Sequence, residues 1–273
     1  LLVQDFELDA AFELGLLKGR WLRGIAERWE QGILQGFDRV SSISGAMVQR
    51  LAQKGVAPER AVLLPNWVDL NAICPQSEGE RASNPYRAEL GISPKTRVLL
   101  YSGSMNKKQG LEMLAQVIQM LSDVPDLIWV LAGEGPSKAA LAAATAGFKN
   151  VKLLPLQPST RMNDWLNLAD VHLLPQKAGA ADLVLPSKLL GILASGRPVV
   201  AASPAESELG LLAEQAGLRV DPDDALGFAT AIRQLSASPA LRQQLGQQAR
   251  LQAELRYGQD AVLLELERTL TMD

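Results

Sequence analysis

An α/β fold built on a doubly wound parallel sheet is what this sequence predicts, and three observations predict it. Short apolar runs recur along the chain, each about the length of a buried strand. Stretches with the helical spacing of apolar residues separate most of them, an alternation that builds parallel sheets covered on both faces. Apolar residues make up 47% of the 273, enough for a sizeable core in one large domain or two smaller ones.

In chain order, strands are expected at residues 1–4, 39–43, 61–64, 97–101, 127–132, 151–154, 171–174, 198–201 and 217–220. Helical patterns cover 110–121, 137–146, 162–167, 188–194, 207–214 and 224–236, and a last run follows Ser238-Pro239 to near Glu267, broken at Gly258. Ser137 and Asp224 are expected to cap helix starts, and Gly147 and Gly196 stand where a helix would stop in a left-handed residue. A boundary is expected near Pro65-Asn66-Trp67, ahead of an irregular polar stretch at 75–94. The expected division is 1–66, 67–238 as a Rossmann-like domain, and 239–273 as helices packing back toward the first piece. With three strand candidates, residues 1–66 look like the end of a larger domain. Leu1 to Asp5 reads as a strand already in progress, which predicts further chain upstream.

The net charge of -3 and scattered Lys and Arg give no broad positive field, which argues against nucleic acid as a partner. Cys74 is the single cysteine, so no internal disulfide is available, and no Cys/His cluster has zinc spacing. These features fit a reducing compartment and a cytoplasmic protein. No apolar run approaches the roughly 18–20 residues that a membrane-spanning helix needs.

Three turns could carry chemistry. Residues 98–101 run into Ser102-Gly103-Ser104-Met105-Asn106-Lys107-Lys108-Gln109-Gly110, a strand, loop and helix order that presents backbone N–H groups to a phosphate. Alone, it reads more simply as a solvated turn. Gly133-Glu134-Gly135 follows the next strand and fits an ordinary strand-to-helix connection about equally well. In Leu185-Pro186-Ser187-Lys188, Ser187 can cap the helix, while Lys188 stands in a first turn whose dipole disfavours a cation. A bound diphosphate would offset that charge. Asp182 could accept hydrogen bonds from sugar or ribose hydroxyls. His172, inside an apolar strand, reads as a core imidazole without chemistry, and Trp129 and Trp165 read as sheet packing.

In this order the three turns resemble the C-terminal domain of GT-B glycosyltransferases of the large retaining family, of the family 4 type. The segments Gln4-Asp5-Phe6-Glu7, Pro65-Asn66-Trp67, Tyr101-Ser102-Gly103, Lys108-Gln109-Gly110-Leu111-Glu112, and Gly179-Ala180-Ala181-Asp182 with Leu185-Pro186-Ser187-Lys188, resemble colanic-acid biosynthesis fucosyltransferase-like proteins. The resemblance implies a complete C-terminal Rossmann-like domain, plus the last part of an incomplete N-terminal acceptor domain. It implies sugar transfer from a nucleoside diphosphate sugar to a hydroxyl of a glycan or lipid-linked acceptor, with retention and without a cofactor or metal. Lys108 and Lys188 would be the catalytic cations, and Gly103, Ser104, Gly133, Gly135, Leu156, Asp182, Ser187 and Glu208 the donor-binding set. Ser104 replaces an arginine found in many members, and Leu183 and Gly191 stand where many have glutamates.

Residues 15–36 mix Trp21, Leu22, Ile25 and Trp29 with several basic residues. Such a helix could touch the inner face of a plasma membrane carrying a lipid-linked acceptor, although packing on its own sheet is the simpler expectation. Two other functions compete: a nucleotide-sugar-binding fragment without catalysis, and a sugar-nucleotide epimerase of similar design.

Overall fold

A computed structural model of the chain describes residues 1–6, 8, 12, 19–177 and 186–271. These fall into two units, one of Leu1–Asn66 with Val262–Asp273, the other of Trp67–Ala181 with Pro186–Ala261. Asp182 and Leu183 lie outside the described residues.

The smaller unit holds β1 (Leu2–Val3), α1 (Arg20–Gln35), β2 (Val40–Ser42), α2 (Gly45–Gln53) and β3 (Ala61–Leu63). Its strands form a parallel sheet in the order β1-β2-β3. Val40, Ile43, Met47 and Leu51 gather with Phe6 and Leu34 in its core. Ser44 starts α2 by accepting a hydrogen bond from the Met47 N–H at 3.2 Å. Helix α1 departs from the sequence expectation. Leu34 is its buried residue, whereas Trp21 (80% exposed), Leu22, Ile25, Trp29 (75%) and Ile33 face outward. Residues 21, 25, 29 and 33 repeat every four positions, so they form one stripe, while Glu30 turns to the Lys54 ammonium at 2.5 Å. Among the described residues, no helix is long and apolar enough to cross a membrane.

The larger unit opens with two short helices, α3 (Glu78–Ala82) and α4 (Pro85–Glu89), inside the stretch expected to be irregular. Ser77 and Glu80 form a reciprocal capping box, which is enough to start α3 in a polar sequence. Then follow β4 (Arg97–Ser102), α5 (Leu111–Met120), β5 (Leu127–Ala132), α6 (Lys138–Thr145), β6 (Val151–Leu154), α7 (Met162–Asn167) and β7 (Val171–Leu174). The chain continues through α8 (Ser187–Ala194), β8 (Val199–Ala202), α9 (Glu208–Ala216), β9 (Gly217–Val220), α10 (Ala225–Ala237) and α11 (Pro239–Gln252). A π-type turn at Ala253–Tyr257 and the break at Gly258 lead into α12 (Gln259–Thr271).

All six strands of this unit are parallel, in the order β6-β5-β4-β7-β8-β9. The order reverses between β4 and β7, the switch point at which open α/β sheets leave a crevice at their carboxyl ends. Strand alternation sends Leu99, Tyr101, Trp129 and Leu131 to a face covered by α5 and α10, with Leu114, Val117, Phe228 and Ile232. Val98, Leu100, Ile128 and Val130 take the other face, under Tyr86 and Trp165. At the amino end of β7, the Asp170 carboxylate meets Arg81 at 2.6 Å, Arg87 at 3.3 Å and the Val98 N–H at 2.8 Å.

Some expected caps differ. Asp224 does cap α10, accepting from the Gly227 N–H at 2.8 Å, and Gly196 is left-handed at φ 64°. Ser137 caps nothing with its side chain, because it already adopts helical angles and its own N–H donates to the Met105 carbonyl. Gly147 has no positive φ, and the residue that follows the end of α6 is Ala146, in a right-handed helical conformation. Ser187 is the first helical residue rather than the cap of α8, whose flanking position belongs to Pro186.

Candidate functional site

The carboxyl rim of the larger sheet is shaped by backbone. Ser102 ends β4, and Gly103 follows with φ 145°, a conformation that favours glycine. Its N–H donates to the Ala132 carbonyl at 3.0 Å, tying it to the end of β5. A Cβ on Gly133 would fall well inside van der Waals distance of the Gly103 carbonyl oxygen, and one on Gly135 would lie 2.5 Å from that of Met105. The Met105 N–H in turn donates to Glu134, and Ser137 donates back to Met105. The two turns therefore interlock main chain to main chain, which explains their glycines without any ligand. Gly133→Ala is expected to cost more than about 2 kcal/mol, read as a fall in thermal midpoint of roughly 4–8 °C. An unchanged midpoint would mean that the turns can separate freely.

Helix α8 brings Lys188 to the same rim. Its Nζ donates to Gln109 Oε1 at 2.7 Å, lies 4.4 Å from the centre of the Tyr101 ring, and sits 3.6 Å from where a Cβ on Gly103 would stand. Among the described residues no carboxylate pairs with it. Burial lowers its pKa from the usual 10.5 to about 7. Lys188 is thus a half-desolvated amine whose nearest polar partner is a neutral amide.

Gly103, Leu156, Ser187 and Lys188 line one cavity of about 390 Å³, within the size range of small-molecule sites. Its wall is otherwise mostly apolar, with Leu100, Met162, Leu166 and Ile192 among its members, and Gly191 where a glutamate was noted as common. The cavity straddles the switch point, taking Ser102 from β4 and Leu174 from β7. His172 also borders it, but its Nε2 lies 3.1 Å from the Leu166 carbonyl, and burial lowers its pKa to about 3. The ring is a neutral core group, as the apolar strand implied.

Of the other expected residues, those that are described stand outside this lining. Lys108 is exposed in the turn Lys107–Gln109, its carbonyl accepting from the Lys177 N–H at 3.2 Å, one residue before the amide that holds Lys188. Ser104 is exposed, and its carbonyl accepts the Tyr101 hydroxyl. Gly133 and Gly135 shape the rim from behind, as described. Glu208 is half-buried at the start of α9, where burial raises its pKa against the opposing charge of Arg256. Asp182 lies outside the described residues. Tyr101 and Gln109, which together cradle the Lys188 ammonium, stand in the motif segments that carry the resemblance, but nothing local in the sequence marks that role: Tyr101 has the pattern of a strand aromatic and Gln109 that of a loop amide. Among the described residues, no group of three or more His, Cys, Asp or Glu is placed to hold a metal ion.

Against known proteins, residues 96–238 match the family model described as glycosyl transferases group 1, and residues 2–67 match the glycosyl transferase 4-like domain. The chain is 36% identical over 245 residues to the putative colanic acid biosynthesis glycosyl transferase WcaI of Escherichia coli, covering 87% of this chain and 60% of that protein. It is 28% identical over 225 residues to D-inositol 3-phosphate glycosyltransferase 1 of Catenulispora acidiphila, covering 77% of this chain and 52% of the relative. The chain thus spans little more than half the length of these relatives. Among solved structures, sucrose-phosphate synthase from Thermosynechococcus elongatus superposes with a TM-score of 0.74 at 19% identity, over 98% of this chain and 66% of that one. Anabaena Alr3699/HepE in complex with UDP and glucose gives 0.72 at 17% identity, over 91% and 69%. At these identities the structural likeness speaks for the fold, and the fold is the GT-B type expected from the sequence.

Proposed function

The chain belongs to the family of group 1 glycosyl transferases, and from that premise we propose that its larger unit holds the nucleoside diphosphate sugar donor of a retaining sugar transfer. The observation that carries this reading is Lys188, an amine with no carboxylate partner among the described residues, set beside Gly103 in a mostly apolar cavity at the sheet's switch point. A diphosphate seated there restores to the ammonium the solvation that burial removed, and the apolar wall accommodates the flat base. Lys188, with Lys108 at the edge of the turn, then stabilises the charge that develops on the leaving diphosphate, so their contribution grows in the transition state. The structure of HepE with UDP makes UDP the first nucleotide to try.

The acceptor is a hydroxyl of a glycan or a lipid-linked sugar in cell-surface glycan synthesis, a reading supported by the likeness to WcaI. The exposed tryptophan stripe of α1 suits a cytoplasmic protein that rests on the inner face of a membrane. An epimerase needs acid and base groups at the cavity, and the one histidine that lines it is spent on a backbone carbonyl. Because the chain spans 60% of WcaI, binding without turnover is the second reading for this length of chain. Calorimetric titration with UDP, GDP and their sugars, beside a transfer assay, separates these. Saturable binding without turnover selects the second reading, and no binding of any nucleotide removes both.

The pH dependence has a definite sign. Lys188 is half-protonated near pH 7 when the cavity is empty, and a bound diphosphate raises its pKa, so binding takes up a proton. UDP affinity should therefore fall as pH rises from 7 toward 9, by up to about tenfold per unit. Affinity independent of pH over that window would exclude Lys188 from the diphosphate.

A further inference from the structure

A second cavity, of about 340 Å³, opens at the opposite, amino rim of the same sheet, beside Asp170 before β7 and Pro198 before β8. Four arginines line it: Arg81, Arg197, Arg242 and Arg250. Two carboxylates, Glu78 and Asp170, share the lining, and Asp170 is already divided between Arg81 and Arg87. Arg250 has its own partner in Glu254, at 2.6 Å. Most of the remaining guanidinium hydrogen bonds go to neutral carbonyls, Arg197 to Gln76 at 2.7 Å and Arg242 to Leu235 at 2.5 Å. Carbonyls satisfy donors but do not neutralise charge. The Arg197 Nε is buried with no hydrogen-bond partner among the described residues. Burial, followed by the repulsion of Arg81, lowers the Arg197 pKa to about 10, as expected where cations crowd without enough counter-charge.

We propose that this cavity is a second anion site, which takes a phosphate or diphosphate group, free or carried on a small ester. Guanidinium groups match phosphate geometry, and the cavity is large enough for a sugar phosphate. The site is distinct from the donor cavity, since α8 begins at one with Ser187 and Lys188 and the chain reaches the other at Gly196 and Arg197. Nothing in the donor reading requires it.

The test uses Lys188→Ala protein, so that the donor cavity does not contribute, titrated calorimetrically with inorganic phosphate, pyrophosphate and a hexose 1-phosphate. Saturable binding of at least one is expected, and tighter binding of the ester than of free phosphate would identify an organic ligand. Gln243→Glu adds a carboxylate at an exposed position of the lining without removing a guanidinium. It should weaken that binding by about tenfold or more, with an unchanged thermal midpoint as the folding control. Arg242→Gln should weaken it as well. Absence of saturable binding in the Lys188→Ala protein, or equal affinity in the Gln243→Glu protein, would overturn the proposal.

Discussion

Lys188→Ala is expected to weaken UDP binding by roughly ten- to a hundredfold, the scale of a lost charge-assisted hydrogen bond of about 1.5–3 kcal/mol. The same substitution should leave the fold intact and make the unliganded protein more stable, most of all near and below neutral pH and progressively less toward pH 10.5. The reason is that the Lys188 pKa is lowered to about 7 in the folded state from 10.5, so between these values the unfolded chain binds more protons. In that window the lysine's contribution to stability rises with pH, being fully favourable only above 10.5 and lost as pH falls to 7. Denaturation of parent and variant at pH 7.5 and pH 10 reads the effect, with the variant's advantage shrinking at the higher pH. Should the variant bind UDP as tightly as the parent, the donor site lies elsewhere. A loss of both binding and stability would instead make Lys188 a structural residue.

Asp170→Ala is the substitution with the largest expected effect on folding, about 3–5 kcal/mol, because it strands buried cations. Burial pushes the Asp170 carboxyl up, but Arg81, the Val98 N–H and Arg87 outweigh burial and hold it below the ordinary range. A depressed carboxylate pKa means that its stabilisation is present above the unfolded value of 3.8 and lost as pH falls through the folded one. Urea denaturation should therefore show a large gap between parent and variant at pH 7 that narrows below about pH 4. A gap below about 1 kcal/mol at pH 7 would mean that Arg81 and Arg87 find other partners.

Much of the fold could be read from the sequence, for a physical reason. A strand buried on both faces is mostly apolar, so runs such as Leu127–Ala132 and Val199–Ala202 announce themselves, and all nine expected strands form. Helices α2, α3 and α4 escaped notice because they are short and depend on caps at Ser44, Ser77 and Asn84 rather than on a long apolar stripe. The cap expected at Ser187 failed because residue type does not reveal whether a serine sits just before a helix or already inside it, whereas Ser137 holds the expected cap position but, with its backbone already helical, makes no side-chain cap bond. At the site, the strand–turn–helix alternation of a parallel sheet is enough to put Gly103 and Lys188 on one rim. The cradle of Tyr101 and Gln109 could not be foreseen, since it depends on how side chains turn once the two loops meet. The reason for Gly133 and Gly135 also lay out of reach, because a clash with a distant carbonyl leaves no local mark.

The interlocking of Gly103 with Gly133, and of Met105 with Gly135, divides the labour of the larger unit's rim. Its contour is drawn by peptide groups that no single substitution can redraw without forcing two loops apart. The freedom to change what the unit accepts therefore rests with the interchangeable aliphatic lining, Leu156, Met162 and Ile192 among it. Libraries varied at those positions should alter which base or sugar is favoured, while the anchoring of the ligand's charged centre stays in place.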